Sequence, residues 1–210
     1  MSGRVVNPVD ARASSKLCAR GKRSSGFTLT ELIVALAVGL VLMAVGLPAF
    51  MRAYHSYQLS GAATQVADIL RLTRYEAIRL NKQVNCLIQP SAANPAMTSL
   101  WADSNANNVL DPTEKTVLLG SGGNLVNNGV PNTNTLLNAA IAGAAATTGF
   151  VGSTIAFDQR GAVMTPAGIS VFYLASTTAP EAGYRAVFLL PAGSIQVWTS
   201  DSAGNWEQLR

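Results

Sequence analysis

One carboxylate lies inside an otherwise apolar segment near the start of the chain. Residues 27–51 read FTLTELIVALAVGLVLMAVGLPAFM, and Glu31 is the single charged residue among these 25. A charged side chain at the centre of a membrane-spanning helix costs about 2.5–3.5 kcal/mol on insertion scales, and residues of this kind usually have a function. A carboxylate buried among leucine, isoleucine and valine also requires a cation. We therefore expect Glu31 to form an ion pair.

A second group of side chains has the spacing of a calcium-binding loop. The segment 103–114, DSNANNVLDPTE, places oxygen ligands at positions 1, 3, 5, 9 and 12 of an EF-hand pattern, with Asn108 where glycine is usual. The ligands would be Asp103, Asn105, Asn107, Asp111 and Glu114. Strand-like segments rather than helices flank this loop, so we favour the alternative of an Asx-rich hairpin loop whose side chains bond their own backbone. We expect no cofactor, with calcium as the one candidate.

The residue types that enzymes use for catalysis are sparse. His55 is the only histidine, and it lies one turn beyond the apolar run. No second histidine is present to activate a serine or cysteine nucleophile. The glycines at 120–123 lack the lysine and the strand–loop–helix context of a phosphate loop. Of the two cysteines, Cys18 precedes the apolar run and Cys86 lies in an apolar, strand-like segment, where we expect a buried and inert thiol. We therefore expect no enzyme activity.

The apolar run predicts the first part of one long helix. About 20 apolar residues suffice to cross a bilayer, so residues 27–51 predict a transmembrane helix. Helical spacing continues after the run and predicts one helix of about 50–55 residues from Phe27, whose second, amphipathic half is 52–83. Its buried positions would be Leu59, Ala62, Ala63, Val66, Ile69, Leu70, Thr73, Ala77 and Leu80.

A proline interrupts the regular hydrogen bonding of this predicted helix. Pro48 cannot donate a hydrogen bond to the carbonyl group of Ala44, and Gly46 weakens the same turn. We therefore expect a helix break at Gly46 and Pro48, in the form of a bend or a melted turn.

Basic residues cluster before the apolar run. Residues 1–26 hold six of the 15 basic residues and one of the 11 acidic residues, which leaves nine basic and ten acidic residues in the rest of the chain. By the positive-inside rule the basic segment stays in the cytoplasm and everything after Met51 is exported, which in a Gram-negative cell means to the periplasm. A secretory signal peptide loses its apolar core on cleavage. The alternative interpretation of the basic segment and the apolar run is an ordinary signal anchor, in which the glutamate at position 31 has no function.

Strand-like patterns begin at Val84. The predicted strands are Val84–Gln89, Thr98–Ala102, Thr116–Leu119, Thr154–Phe157, Gly168–Leu174, Tyr184–Leu190, Ile195–Trp198 and Trp206–Leu209. Residues 191–194 would connect two of them as a hairpin. A long helix followed by short strands predicts an α+β fold in which the helix packs on an antiparallel β-sheet head at 84–210. Residues 120–153 carry no charge and predict a flexible insertion, with a short helix at Thr135–Ala146.

Three motifs resemble those of one protein superfamily. The segment GFTLTE at 26–31 resembles the processing site of type IV pilins and pseudopilins. Two further segments resemble motifs of the FimT/GspH-type minor pseudopilins, a subfamily that is similar to type II secretion system protein H. They are LRLTRYEAIRLNKQV at 70–84 and IAFDQRG at 155–161. The resemblance implies a pilin-like fold and a cytoplasmic leader, 1–26, that prepilin peptidase removes. It also implies cleavage between Gly26 and Phe27, N-methylation of Phe27, and a role for Glu31 in assembly.

The resemblance implies a structural subunit of a type II secretion pseudopilus. Such a subunit sits in the inner membrane and then near the fibre tip, where it helps to initiate assembly and contributes to protein secretion. Its partners would be prepilin peptidase, other pseudopilins or minor pilins, the inner-membrane assembly platform and membrane lipid.

Two other functions are the alternatives. The first is a FimT-like minor pilin in pilus biogenesis or DNA uptake, and DNA binding requires clustered lysine and arginine. The last 17 residues hold one basic residue, Arg210, so a cluster would need Arg160, Arg185 and Arg210 to converge in space. We do not expect DNA as a partner. The second, a membrane-anchored periplasmic enzyme, lacks catalytic groups.

Overall fold

The first element is a single long helix. The computed structural model describes residues 26–126, 146–148, 151–201 and 204–209. Helix α1 (Leu29–Leu80) has 52 residues, which agrees with the predicted length. The helix continues through Gly46 and Pro48, so the predicted melted turn is absent, and the bend stays a prediction. The chain forms two compact units, one ending at Met43 and one beginning at Ala44.

Within the second unit, one stripe of helix α1 is buried. The buried residues are Leu59, Ala62, Ala63, Val66, Ala67, Ile69, Leu70, Thr73 and Ala77. This stripe agrees with the predicted face, except that Ala67 is also buried and Leu80 is half-buried. The agreement follows from the helical period, because residues three and four apart lie on the same side of a helix.

The strands occur where alternating apolar residues predicted them. The described residues form β1 (Val84–Pro90), β2 (Thr98–Asp103), β3 (Thr116–Leu119), β4 (Asn124–Leu125), β5 (Ala146–Thr148), β6 (Thr154–Phe157), β7 (Val163–Thr165), β8 (Ile169–Ala175), β9 (Tyr184–Leu189), β10 (Ile195–Ser200) and β11 (Trp206–Leu209). All eight predicted strands are present, with ends that differ by two residues at most. The three that the sequence analysis missed have two or three residues each, which is too short to show a period of two.

The head contains two sheets, and the prediction of one antiparallel sheet was wrong in this respect. The strand order is β3-β2-β1-β6-β7 in the first sheet and β11-β10-β9-β8-β4 in the second, with β5 parallel to β8. The other pairs are antiparallel, and β9 and β10 form the predicted hairpin, in which Leu190 N donates to Ser194 O. Local periodicity identifies strands, but their partners are decided by contacts between distant segments.

Both sheets contribute to one apolar core around the buried face of α1. The largest fully buried side chains of this core include Phe157 of the first sheet and Phe172 of the second. A smaller cluster around Phe188 and Trp206 belongs to the second sheet alone. The architecture is an α+β fold in which a long helix packs on antiparallel sheets, as the sequence predicted.

The beginning of the predicted insertion is part of the head. Residues 120–123 form a turn that leads into β4, which pairs with β8. A Cβ atom at Gly123 would lie 2.7 Å from the Cβ of Ala62, so this turn packs closely against α1. Residues 120–125 therefore belong to the packed head, and the flexibility of the insertion stays a prediction. The predicted helix Thr135–Ala146 lies outside the described residues except for Ala146, which begins β5.

Arg74 joins the helix to two turns of the sheets. Its Nε donates to the carbonyl oxygen of Gly161 at 3.0 Å, and its Nη1 donates to that of Gly193 at 3.1 Å. Both glycines have positive φ values of 78° and 76°, which other residues rarely adopt. Arg74 is not among the positions of the helix predicted to be buried, and no local pattern indicates this role.

Replacing Arg74 with alanine should destabilise the head. Hydrogen bonds from a charged donor are worth about 1.5–3 kcal/mol each, and two partly buried carbonyl groups would lose their partner. We expect a loss of about 2–4 kcal/mol, which lowers the Tm of a domain of this size by about 4–16 °C. Thermal unfolding of the full-length protein in detergent would measure this shift.

Arg71 provides the matched control. It lies on the same helix, is more than half exposed, and pairs with the exposed Asp68 at 2.8 Å. Exposed pairs of this kind contribute about 0–1 kcal/mol, so Arg71→Ala should change the Tm by about 3 °C at most. Equal effects of the two substitutions would show that the contacts of Arg74 with the turns contribute nothing.

Candidate assembly site and the loop at residues 103–114

Helix α1 begins with a capping box formed by Thr28 and Glu31. Glu31 N donates to the Thr28 Oγ1 at 3.2 Å, and Thr28 N donates to a carboxylate oxygen of Glu31 at 3.4 Å. This reciprocal arrangement satisfies two of the amide groups that lack partners at a helix N-terminus. The sequence analysis missed it, although the spacing T-x-x-E at 28–31 is its usual signal. Glu31 therefore caps its own helix in the isolated chain.

The described residues supply no cationic side chain to Glu31. Their ion pairs join His55 to Glu181, Arg71 to Asp68 and Arg79 to Glu76. Phe27 is four residues before Glu31 and precedes the start of α1 at Leu29. A new N-terminal amine at Phe27 is thus the cation that the sequence places nearest. Gly26, Phe27 and Glu31 lie near one another because they lie within six positions of the sequence. Their roles in cleavage, methylation and assembly stay predictions.

The apolar part of α1 is exposed in the isolated chain. Eighteen consecutive residues of the helix have a mean hydropathy of 2.6, and none of them is buried. In the part of the chain that the structure describes, this is the one helix long and apolar enough to cross a membrane. Leu40, Val41, Leu42 and Met43 are each about two-thirds exposed. Such a surface requires lipid or apolar partners, because burying it from water is strongly favourable.

Asp103 organises the loop that follows β2. Its Oδ1 accepts hydrogen bonds from the amides of Ala106 and Asn107, and its Oδ2 accepts one from that of Asn108. The side chain is 1% exposed, so these bonds replace the water that an exposed carboxylate would bind. Asn108 has a φ of 58°, as expected for a residue in the position where an EF-hand has glycine.

The other candidate ligands complete the same network. The Nδ2 atoms of Asn105 and Asn107 donate to Asp111 Oδ2 at 2.6 and 2.9 Å. Glu114 accepts hydrogen bonds from the amides of Ser104 and Asp111. The structure thus brings together all five predicted ligands and confirms that the loop is an Asx-rich loop bonded to its own backbone. Calcium binding stays a prediction of the spacing.

Calcium should change the thermal stability of the protein little. The side-chain oxygens of Asn105 and Asn107 accept hydrogen bonds from the amides of Asn107 and Val109, so a cation would compete with bonds already made. For a dissociation constant near the millimolar range, millimolar calcium adds at most about 0.4 kcal/mol, which is a Tm shift of about 2 °C or less. Melting curves with calcium and with chelator would measure it. A reversible rise of several degrees that Glu114→Gln abolishes would establish a calcium site.

The other singled-out residues of the head are structural. Burial raises the pKa of the Cys86 thiol to about 12, although the nearby Thr73 hydroxyl lowers it in part. The thiol is therefore neutral at physiological pH, which agrees with the predicted inert cysteine. His55 Nδ1 lies 3.5 Å from Glu181 Oε1 and forms no hydrogen bond within the described residues.

Of the three arginines of the candidate DNA-binding cluster, the structure describes Arg160 and Arg185, and these two differ in exposure. Arg185 is 5% exposed, and its Nη2 donates to Ser56 Oγ at 2.8 Å. Arg160 is exposed, whereas Arg210 lies outside the described residues. Because a buried guanidinium cannot contact phosphates, Arg185 is not available to the predicted cluster.

Two of the sequence motifs meet in space. Arg74 belongs to the segment at 70–84, and Gly161 ends the segment at 155–161. Their hydrogen bond joins these motifs, and Asp158 Oδ1 fixes the second one by accepting hydrogen bonds from the amides of Arg160 and Ala162, both at 2.8 Å. Two motifs 71 positions apart at their nearest ends thus form one contact between the helix and the first sheet.

Comparison with known families gives two matches that cover most of the chain. Residues 21–47 match the prokaryotic N-terminal methylation motif, which includes Gly26, Phe27 and Glu31. Residues 62–193 match the type II transport protein GspH, which extends from the buried face of α1 through the β9–β10 hairpin. No curated protein and no solved structure matches the chain significantly. Since the second match covers more than half of the residues and the first covers the apolar helix, the chain belongs to the type II transport protein GspH family of pilin-like pseudopilins.

Proposed function

We propose that this pseudopilin is a structural subunit near the tip of a type II secretion pseudopilus, where it helps to start the fibre and thereby supports protein secretion. Prepilin peptidase cleaves the precursor after Gly26 and methylates Phe27. The mature subunit is first held in the inner membrane, with its head in the periplasm. It then moves from the membrane into the fibre. Its direct partners are other pseudopilins and the inner-membrane assembly platform. This role is structural rather than catalytic.

One observation supports the proposal above the others. The chain combines two parts, an exposed apolar helix that matches the methylation motif and a packed head that matches GspH. The head buries its own apolar core, whereas the helix before it leaves its apolar side chains exposed. A membrane can cover these side chains before assembly, and the helices of neighbouring subunits can cover them afterwards.

The proposal distinguishes a secretion subunit from a pilus subunit. We expect that deletion of the gene lowers the amount of type II substrates in the culture medium and leaves them in the periplasm. Complementation with the wild-type gene should restore secretion, and pilus-dependent DNA uptake in the same strains should not change. If uptake were lost while secretion was normal, the chain would serve a type IV pilus instead.

A further inference from the structure

A strip of exposed aromatic side chains continues the apolar run of α1 into the head. Phe50, Tyr54 and Tyr57 are 65%, 48% and 78% exposed. They are three and four residues apart, so they lie on one side of the helix. The rings of Phe50 and Tyr54 stack, with their centroids 6.4 Å apart. This aromatic strip extends the exposed apolar surface beyond Met51, the last residue of the run.

A leucine from a distant strand lies beside the aromatic strip. Leu118 belongs to the edge strand β3 and is 51% exposed. Together with Tyr54 and Tyr57, it lines an open groove of about 420 Å³ between α1 and the end of β3. Gln65 also lines this groove, about 16 Å farther along the helix than Tyr54. The helix side of the groove thus changes from aromatic to polar with distance from the apolar run.

The other side of α1 at this level is charged. Ser56 follows Tyr54 by two residues, so the two side chains are about 200° apart around the helix. The Ser56 hydroxyl accepts a hydrogen bond from Arg185, and the exposed carboxylates of Glu181 and Glu207 line a cavity on the same side. One side of the helix therefore carries aromatic and apolar groups, and the other carries charged groups.

The length of the apolar run favours a tilted helix. The part of α1 from Leu29 to Met51 is about 34 Å long, whereas the hydrocarbon core of a bilayer is about 30 Å thick. A helix longer than the core tilts, and the residues at the membrane interface set the direction of tilt. Tyrosine is enriched at this interface, because its ring is apolar and its hydroxyl is polar. Tyr54 lies about 4–5 Å beyond Met51, which is the level of the headgroups if the run spans the membrane.

The tyrosine hydroxyl groups distinguish a lipid surface from the helix of another subunit. Within the part of the chain that the structure describes, neither the hydroxyl of Tyr54 nor that of Tyr57 forms a hydrogen bond. The apolar run of a neighbouring copy has no polar side chain from Leu32 to Met51, so it offers these hydroxyls no side-chain acceptor. The headgroup layer offers phosphate and ester oxygens and water. A lipid surface therefore suits both the ring and the hydroxyl of each tyrosine.

We propose that the aromatic strip and Leu118 rest on the periplasmic surface of the inner membrane. Helix α1 then tilts towards the groove, and the side of the head that carries Glu181 and Glu207 faces water. The membrane thereby gives the head one orientation before the subunit enters the fibre. This inference rests on the proposed function in one respect, namely that the apolar run spans the membrane.

The test is fluorescence quenching with the full-length protein in liposomes whose lipids carry a nitroxide on the headgroup. In a Cys18→Ser background, the remaining native cysteine is the buried Cys86, and a fluorophore is attached to Leu118→Cys or to Glu207→Cys. Both positions are exposed and lie on edge strands. We expect quenching at 118 to be at least about twofold stronger than at 207, because the tilt brings position 118 nearer to the headgroups.

Replacing both tyrosines of the strip should remove this difference. Tyr54 and Tyr57 are exposed, so the head should fold in the Tyr54→Ser/Tyr57→Ser variant. Tyr75→Ser is the matched control, because Tyr75 is 60% exposed on the same helix, about 27 Å beyond Tyr57. It should retain the difference between the two positions.

Three results would overturn the inference: equal quenching at the two positions, stronger quenching at 207, or a difference that survives loss of both tyrosines. A fluorophore at Val45→Cys, with nitroxides on the acyl chains, reports separately whether the apolar run is inserted. Quenching at 45 with equal quenching at 118 and 207 would contradict the tilt alone. Absence of quenching at 45 would show that the run is outside the membrane and would contradict the proposed function as well.

Discussion

Replacing Gly26 with valine should leave the full-length precursor in the inner membrane. A protease that cuts after this residue must approach the backbone closely, and only glycine has no Cβ atom in the way. A Cβ atom at residue 26 would meet nothing within 4 Å in the chain itself, so the substitution should not disturb the fold. Mass spectrometry of the purified protein would show whether residues 1–26 are still attached.

Gly39→Val is a suitable control for this experiment. Gly39 also has free space around it but lies inside the apolar helix, so cleavage should occur as in the wild-type protein. Mature, N-methylated Phe27 in the Gly26→Val variant would show that the cleavage site lies elsewhere or tolerates a side chain.

Replacing Glu31 with alanine should leave insertion and cleavage intact but prevent incorporation into the fibre. We expect the carboxylate to pair with the methylated N-terminal amine of Phe27, either its own or that of an adjacent subunit. A pair between subunits would favour one axial position in the fibre. Removal of one partner from a buried pair costs about 3–5 kcal/mol, so incorporation should fall at least tenfold and secretion should fall with it. Crosslinking through cysteines placed along the helix would measure incorporation.

The capping box requires a second variant, because Glu31 also stabilises the helix N-terminus. Glutamine can occupy the third position of a capping box as glutamate does, so Glu31→Gln retains the bonds to Thr28 but removes the charge. If the ion pair drives assembly, both variants fail to assemble. If Glu31→Gln assembles normally while Glu31→Ala does not, the helix cap is the important contact. Normal crosslinking in both variants would contradict any role of Glu31 in assembly.

The calcium-binding pattern at residues 103–114 shows that the spacing of a motif predicts which side chains lie close together but not what they bind. The spacing of Asp103, Asn105, Asn107, Asp111 and Glu114 brought the loop to attention, and the structure places all five in one network. Short-range spacing predicts such proximity well, because a tight loop leaves few conformations. Whether the oxygens bind a cation or amide groups depends on free energies that the spacing does not contain.

Two arginines show the limit of local reasoning more clearly. Arg74 is outside the predicted buried face of α1, and Arg185 is a candidate member of a DNA-binding cluster, yet Arg74 donates to two turns and Arg185 is buried against α1. Local sequence does not indicate this, because the contacts of Arg74 with Gly161 and of Arg185 with Ser56 join residues more than 80 positions apart along the chain. The glycines at 161 and 193 are explained by the same contacts.

By itself, the sequence determined the apolar character of residues 27–51, the length and buried face of α1, the positions of the eight longer strands and the family of the protein. These properties follow from composition, from periods of 3.6 and 2 residues, and from short motifs, all of which are local. Only the tertiary structure decided that there are two sheets, that Arg74 joins two distant motifs, and that Leu118 of β3 lines one groove with the exposed tyrosines of α1. The physical reason is that such contacts depend on which distant segments pack together, and the free energy of that packing comes from the whole core rather than from any local pattern.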